Sequence, residues 1–557
     1  MKEKIILELK KITSLQEKQI EQLLEIPPNE TLGDYAFPCF ELAKIQKKNP
    51  VEIAQDLAKR IPKKKEIERV VAVGPYVNFF INKNLLAKNI LKEILKKKDK
   101  YGSSKLNNEK AMIEFSQANT HKAFHIGHVR ATSLGESIAR ILEFCGNKII
   151  RANYQGDTGM HVAKWIWCYQ KYHSKEKLKK DETWIAGIYV EAVNKLENNV
   201  EFQKEVDEIN RKLDSKEDKN LNNLWKKTRQ LSLDSFEPIY KELNTKFDYY
   251  FFESEMEDRG KTISKELVRD NIAEISDKAT IINLERFNLG VWVLLRSDGT
   301  VLYSAKDIAL AEKKFNKYKV DKSVYVVGSA QRLHFQQLFK TLGLMKFKQA
   351  EKCQYVPVTE VRLPEGKMSS RTGQNILYSA FKDELVEYAK KEIQNREKIL
   401  QKELNKRALV IAIASLKYAL LKQEVNKSIV FNKEEAMQFE GNTGPYLLYT
   451  YARAKSILRK SKLKNQSSIK DLSSTEKSLI KKLSGFSEVV ISSYHHLSPN
   501  LIANYAYELA QLFNEFYHKE KVIGSDKEAF RISLVKATSQ TLKNASHLLG
   551  IEILEEM

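Results

Sequence analysis

Residues 112–130, MIEFSQANTHKAFHIGHVR, decide how this chain folds. Met112 to Phe115 is a short apolar run suited to a buried strand, Gln117 to Lys122 is a polar turn, and beyond Gly127 the apolar spacing becomes helical. A strand, a loop and a helix follow, with His125 and His128 at the helix entrance. Unpaired backbone N–H groups and the helix dipole attract an anion such as phosphate to that point. Gly127 has no Cβ, so the backbone there can approach a ligand closely.

Outward from this unit, Ala131 to Phe144 continues the helix with Leu134, Ile138, Ile141 and Leu142 on one face, and Gly146 caps it. Lys148 to Ala152 reads as the next strand, leading into NYQGDTGMH. Strand, helix, strand predicts an α/β class: a doubly wound parallel sheet, Rossmann-like, that binds ligands at the carboxyl ends of its strands. From about 171 to 245 the chain is charged, helical and poor in glycine, which predicts an insertion packed on the core with no chemistry of its own. Strand patterns resume at Ala279 to Leu284 and Gly290 to Leu295, and a turn at Ser297-Asp298-Gly299 predicts a hairpin with Thr300 to Tyr303. In YSAKD, Tyr303 and Asp307 share a face if a helix starts there. Gln331 follows the apolar strand in VYVVGSAQRLHF. Residues 366–373, GKMSSRTG, are small, polar and flanked by glycines; they suit a loop over a triphosphate, with Lys367 and Arg371 supplying charge.

The core so delimited, 108–385, is preceded by a small α/β domain at 1–95. Helical spacing at Ile5 to Leu24 and Val51 to Ile61 flanks a loop with Pro27, Pro28 and Gly33, and Val70 to Ile81 reads as strand, turn, strand about Gly74-Pro75. The lysines from Lys83 to Lys105 are either a solvated helix face or a nucleic-acid contact. From 386 to 557 the periodicity is helical, predicting a bundle. Within it, EGNTGPYLLYTYARAKSI turns tightly at Gly441, Gly444 and Pro445 and opens a helix with Tyr449 and Arg453 one turn apart. That pair is either bundle packing or a base-stacking platform.

Composition bounds these readings. A chain of 557 residues can hold three or four domains. Its formal charge of +22 fits a polyanionic partner or a merely lysine-rich protein. Cys39, Cys145, Cys168 and Cys353 lie far apart with no CxxC pair, which argues against a zinc site and for a reducing compartment. No stretch has the apolar length of a membrane span and the amino end lacks a secretory core, so a cytoplasmic protein with no membrane contact is expected.

HIGH preceded by EFSQANTHK resembles the first signature of class I aminoacyl-tRNA synthetases, in its arginyl-tRNA synthetase form. GKMSSRTG, about 240 residues later, resembles the KMSKS signature. Ser370 stands in place of its second lysine, and Gln117-Ala118 replaces a usual Ser-Pro. The resemblance implies arginine activation by ATP, with Mg²⁺ accompanying the nucleotide rather than sitting in a protein cage, and transfer to tRNA(Arg). It implies a monomer that needs tRNA for activation. His125, Gly127, His128, Lys367, Met368, Ser369 and Ser370 would bind ATP; His125, His128, Lys122, Lys367 and Arg371 would be catalytic. Which of Lys122 and Lys367 dominates stays open. Glu114, Ser116, Asn119, Tyr303, Asp307 and Gln331 would line the arginine pocket, since carboxylates match a planar guanidinium bidentately. By the same resemblance Tyr76 and Asn78 in the amino-terminal domain, and Tyr449, Arg453, Tyr517 and Met557 in the bundle, would contact tRNA. The rivals are another class I nucleotidyl transferase and a tRNA-binding paralogue without activity.

Overall fold

The computed structural model describes residues 2–62, 64–197, 199–364, 377–461 and 471–557. Two compact units divide the chain: residues 1–98, 457–484 and 512–540 form one, and 99–456, 485–511 and 541–557 the other. The helical carboxyl-terminal region therefore contributes to both.

In the first unit, β1 (Tyr35–Pro38), β2 (Ile67–Val73) and β3 (Tyr76–Ile81) make an antiparallel sheet in the order β1-β3-β2. Helices Lys2–Ile12, Glu17–Leu23 and Pro50–Arg60 bury Ile5, Leu9, Ile20, Ile53 and Leu57 together with Phe37, Val77 and Phe79. Their apolar spacing of three and four is what the sequence offers, so the burial follows from the pattern.

The second unit is built on a five-stranded, wholly parallel sheet. β4 (Lys110–Glu114) lies at its centre, with β5 (Lys148–Gln155) and β6 (Tyr249–Phe252) on one side. A small antiparallel sheet follows in the chain, from β7 (Glu274–Ser276), β8 (Ala279–Asn283) and β9 (Val291–Leu295). The main sheet then resumes on the other side of β4 with β10 (Lys322–Gly328) and β11 (Cys353–Val358), giving the order β11-β10-β4-β5-β6. Strand order reverses between β4 and β10, and a crevice for ligands opens at the carboxyl ends beside such a reversal. The strands read as near-continuous apolar runs because helices cover both faces.

Two expectations need correcting. Thr300 to Tyr303 forms no strand: its pairing with β9 is the single bridge Leu295↔Val301, and helix Tyr303–Asn316 starts at once. The turn residues are right, but the backbone is taken over by the helix whose Ile308, Leu310 and Phe315 complete the core beside Trp292 and Leu294. The insertion is indeed helical, with helices Glu182–Leu196, Val200–Ser215 and Lys219–Glu242 packed around Trp165, Trp167, Ile185, Val206 and Leu221. Packing on the core is not all it does: its helix Glu182–Leu196 also lines the cavity described below.

A two-stranded parallel ribbon pairs β12 (Val361–Arg362), which comes just before GKMSSRTG in the sequence, with β13 (Ile429–Val430), which comes after it. Among the described residues no helix is long and apolar enough to cross a membrane.

Candidate active site

The loop leaving β4 is tightly specified. Ser116, Gln117 and His121 all have positive φ (76°, 55° and 61°), a conformation that costs non-glycine residues about 1 kcal/mol each and persists where surroundings over-determine it. Here they do. The Gln117 amide donates to Asn153 Oδ1 at 3.1 Å, the Thr120 amide to the Gly156 carbonyl at 3.1 Å, and the His121 amide to Ser232 Oγ at 3.0 Å. Glu182 of the insertion accepts the Phe124 amide at 2.9 Å and the Ser379 hydroxyl at 3.0 Å. One insertion carboxylate thus clamps the loop and the helix that follows residue 377.

His125 is the N-cap of helix Ile126–Phe144, and its Nδ1 accepts the Gly127 amide at 3.1 Å. His128 Nδ1 accepts the His125 amide at 3.3 Å, so the two imidazoles close a capping box and stack with centroids 3.8 Å apart. With both Nδ1 atoms accepting, the neutral rings carry their protons on Nε2. Burial pushes His125 down to about 4 and His128 well below the usual imidazole range, with Lys122 adding to both. At neutral pH the helix mouth presents two uncharged N–H donors. Gly127 has a more specific reason than ligand approach: a Cβ there would lie 2.9 Å from the His125 ring.

A cavity of about 810 Å³ opens at this mouth. Asn119, Lys122, His125 and His128 line one side; Lys164, Thr183, Tyr189 and Asn194 line the other. No carboxylate is among its described lining residues. Lys122 is held 5.2 Å from the Tyr189 ring centroid, and burial followed by Lys164 lowers its pKa. Helix Glu182–Leu196 is therefore a wall of the cavity. Its role escaped the sequence because the mainly apolar helix lies between two strongly charged runs.

Beside the cavity, acids converge. Glu114 at the end of β4, Asp157 after β5, Glu253 after β6 and Asp307 on helix Tyr303–Asn316 all bear on the buried Tyr154, whose pKa burial and these charges push well above normal. Glu114 and Asp307, far apart in the chain, lie close enough that Asp307 raises the Glu114 pKa, behind the larger effect of burial. Tyr154 Oη has no hydrogen-bond partner among the described residues. Each acid has a cation or a histidine: Lys314 on Glu114 at 2.6 Å, Arg229 on Asp157 at 2.8 Å, His334 Nε2 on Asp307 at 2.6 Å, and Lys306 3.5 Å from Glu253. None of these partners stood out in the sequence. Cavity and cluster meet at Asn119 and Gly156, where a Cβ on Gly156 would sit 2.4 Å from Asn119 Oδ1.

Other predicted residues fall variously. Ser116 is buried, and its hydroxyl donates to Tyr240 at 3.2 Å and accepts from Thr132 at 2.9 Å. Tyr303 is exposed, its ring 4.7 Å from His334, and Gln331 is exposed in the turn after β10. Lys367, Met368, Ser369, Ser370 and Arg371 lie outside the described residues. Asn78 is buried within β3, which pairs with β1 and β2, while Tyr76 is half-buried, edge-on to Phe40. Arg453 donates to the Tyr449 hydroxyl at 3.0 Å and lies 4.6 Å over its ring. Tyr517 is exposed and Met557 half-buried.

Arg130, unremarked in the sequence, is buried two residues past His128. Its guanidinium donates to the carbonyls of Thr359 and Lys427, both at 2.9 Å, so helix Ile126–Phe144 is tied to the two chains that form the β12–β13 ribbon. Cys168, His173 and Glu191 bring potential metal-ligand atoms within 4.8 Å of one another in the insertion. There His173 is held by Glu176 at 2.6 Å and Glu191 at 2.9 Å.

A parallel sheet with two stacked histidines at its central helix mouth defines a class I tRNA synthetase type of site, and the comparisons agree. The family model "tRNA synthetases class I (R), catalytic domain" matches residues 90–433; "Arginyl tRNA synthetase N terminal domain" matches 1–81 and "DALR anticodon binding domain" 447–557. The arginine–tRNA ligases of Clostridium perfringens (strain 13 / Type A) and Clostridium botulinum (strain Loch Maree / Type A3) are each 37% identical, over 99% of this chain and 98% of theirs. The structure of Thermus thermophilus arginyl-tRNA synthetase superposes with a TM-score of 0.84 at 25% identity, covering 100% of this chain and 99% of that one. This chain belongs to the arginyl-tRNA synthetase family.

Proposed function

We propose that in this arginine–tRNA ligase the acid cluster receives the guanidinium of arginine while the adjoining cavity receives the triphosphate of ATP. The observation that carries the reading is the convergence of Glu114, Asp157, Glu253 and Asp307 beside a cavity whose described walls bear lysines and histidines and no carboxylate. Asp307 is the acid that engages the ligand: His334 holds one oxygen and leaves the other for a guanidinium N–H, with Tyr154 Oη as an acceptor nearby. Tyr303 and Gln331 close over the ligand from the exposed side.

The arginine carboxylate attacks the α-phosphorus in line, forming arginyl-adenylate as pyrophosphate leaves. The terminal adenosine hydroxyl of tRNA(Arg) then attacks the activated carbonyl, and AMP leaves. His125 and His128 act as neutral Nε2–H donors to the α-phosphate oxygens, where charge builds in the transition state. Lys122, Lys367 and Arg371 hold the leaving pyrophosphate, and Gly127, Met368, Ser369 and Ser370 complete the nucleotide contacts. Mg²⁺ would travel on the phosphates, since the described cavity walls offer it no carboxylate. Tyr449, Arg453, Tyr517 and Met557 read the anticodon arm and Tyr76 with Asn78 an outer base. The setting is a cytoplasmic monomer, in keeping with four buried free thiols.

ATP–pyrophosphate exchange with each amino acid, with and without tRNA, tests this. Exchange dependent on arginine and tRNA(Arg) is expected. Exchange driven by lysine or cysteine, or none with intact tRNA(Arg), would overturn it.

A further inference from the structure

Lys164 has no part in the mechanism above, yet it lines the same cavity as Lys122, from helix Met160–Tyr172. Two ammonium groups brought within range of each other repel, and low-dielectric walls strengthen the repulsion. Folded proteins offset such pairs with a carboxylate. Here neither lysine has one among the described residues; Lys122 instead rests against the Tyr189 ring. Both are half-buried, so water does not fully screen them. The remaining polar lining, Thr183, Asn194 and the Nε2 edges of the two histidines, can all donate hydrogen bonds. Neighbouring His161 presents a buried Nε2 with no partner among the described residues. Such a wall is complete only with an anion in it.

We propose that Lys164 and Lys122 together form a phosphate subsite on the insertion side of the cavity, occupied by the leaving pyrophosphate or by a phosphodiester of the incoming tRNA 3′ end. The proposal rests on the cavity being the nucleotide site. Both sources offer the same chemistry, a tetrahedral oxyanion, and Tyr189 moves off Lys122 when it arrives. The insertion then acts directly on substrate through its own wall.

The test uses the full-length protein and Lys164→Met, Lys164→Arg and Lys122→Met variants. Inorganic pyrophosphate binding by titration calorimetry, without ATP or amino acid, reads the subsite independently of activity. An affinity loss of about tenfold or more is expected for Lys164→Met, the scale of one charge-assisted hydrogen bond. A similar loss is expected for Lys122→Met, with recovery in Lys164→Arg. Two kinetic arms then separate the sources: the KM for pyrophosphate in adenylate pyrophosphorolysis, and single-turnover transfer from preformed arginyl-adenylate to tRNA(Arg). A defect in the first assigns the subsite to pyrophosphate, and in the second to the tRNA end. Wild-type pyrophosphate affinity together with unchanged values in both arms for Lys164→Met would overturn the proposal. So would a defect that Lys164→Arg does not rescue and that comes with an equal rise in the KM for the arginine substrate, which marks a structural role. Absence of arginine-dependent exchange in the wild type would instead strike the functional reading, leaving the calorimetric result to decide the subsite.

Discussion

The acid cluster and the cavity adjoin at Asn119 yet are built on opposite principles. Around Tyr154 every carboxylate is answered from within the fold, by Lys314, Arg229, Lys306 or His334. Around His125 and His128 no described carboxylate answers the lysines. Three of the cluster's four acids are ion-paired before anything binds, so it selects by geometry; the cavity's described walls hold lysines and no carboxylate, so it attracts by charge. A site for a flat cation cannot be a bare acidic pit, because four acids would repel one another and bind any cation. Locking three and leaving Asp307 half-committed narrows the choice to a fork that fits.

The sharpest way to break that contrast is to strip a locked acid. Glu114→Gln leaves the Lys314 ammonium buried without a counter-charge, and a loss of about 3–5 kcal/mol of stability is expected in denaturant titration. The double variant Glu114→Met with Lys314→Met should recover much of it; a double variant no better than the single one would mean the pair is not compensating. Asp307→Asn comes next, weakening arginine selection by about 2–5 kcal/mol in kcat/KM with the fold retained. Arginine affinity left intact would remove Asp307 from ligand contact. His128→Ala acts on the other region: activation should slow by about a hundredfold with arginine affinity unchanged. Unchanged activation rates would contradict its donor role.

The contrast also shows in the pH dependence of stability. Burial holds His121 and His161 down to about 3 and His125 to about 4, whereas an unfolded chain protonates its histidines near 6.5. Below that value the unfolded state binds more protons, so these groups contribute stability that is present above about pH 6.5 and lost as pH falls toward 4. The melting temperature should drop over that window, and His121→Gln should flatten the drop. A flat wild-type profile would mean the rings are not held neutral.

The strand, loop and helix of residues 112–130 were legible because apolar periodicity and backbone need coincide there, and the same holds for the parallel sheet and the bundle helices. Asp307 could be placed on a helix face from spacing alone. Lys314 could not be paired with Glu114: they are 200 positions apart, and nothing local separates one lysine from the others among 94 basic residues. Glu182 was hidden likewise in a charged run, although it is the acid that fixes the loop. The partners of Ser116 were not legible either: its backbone has positive φ and its hydroxyl meets Tyr240 and Thr132, from distant parts of the chain or a later helix. The burial of Asn78, whose Oδ1 has no partner among the described residues, could not be read from its place in an apolar strand pattern.

Arg130 carries a last consequence. By gripping the carbonyls at positions 359 and 427 it ties the histidine-bearing helix to both chains entering the β12–β13 ribbon. One buried guanidinium thus anchors three stretches of chain, two of them hundreds of positions away from it in the sequence.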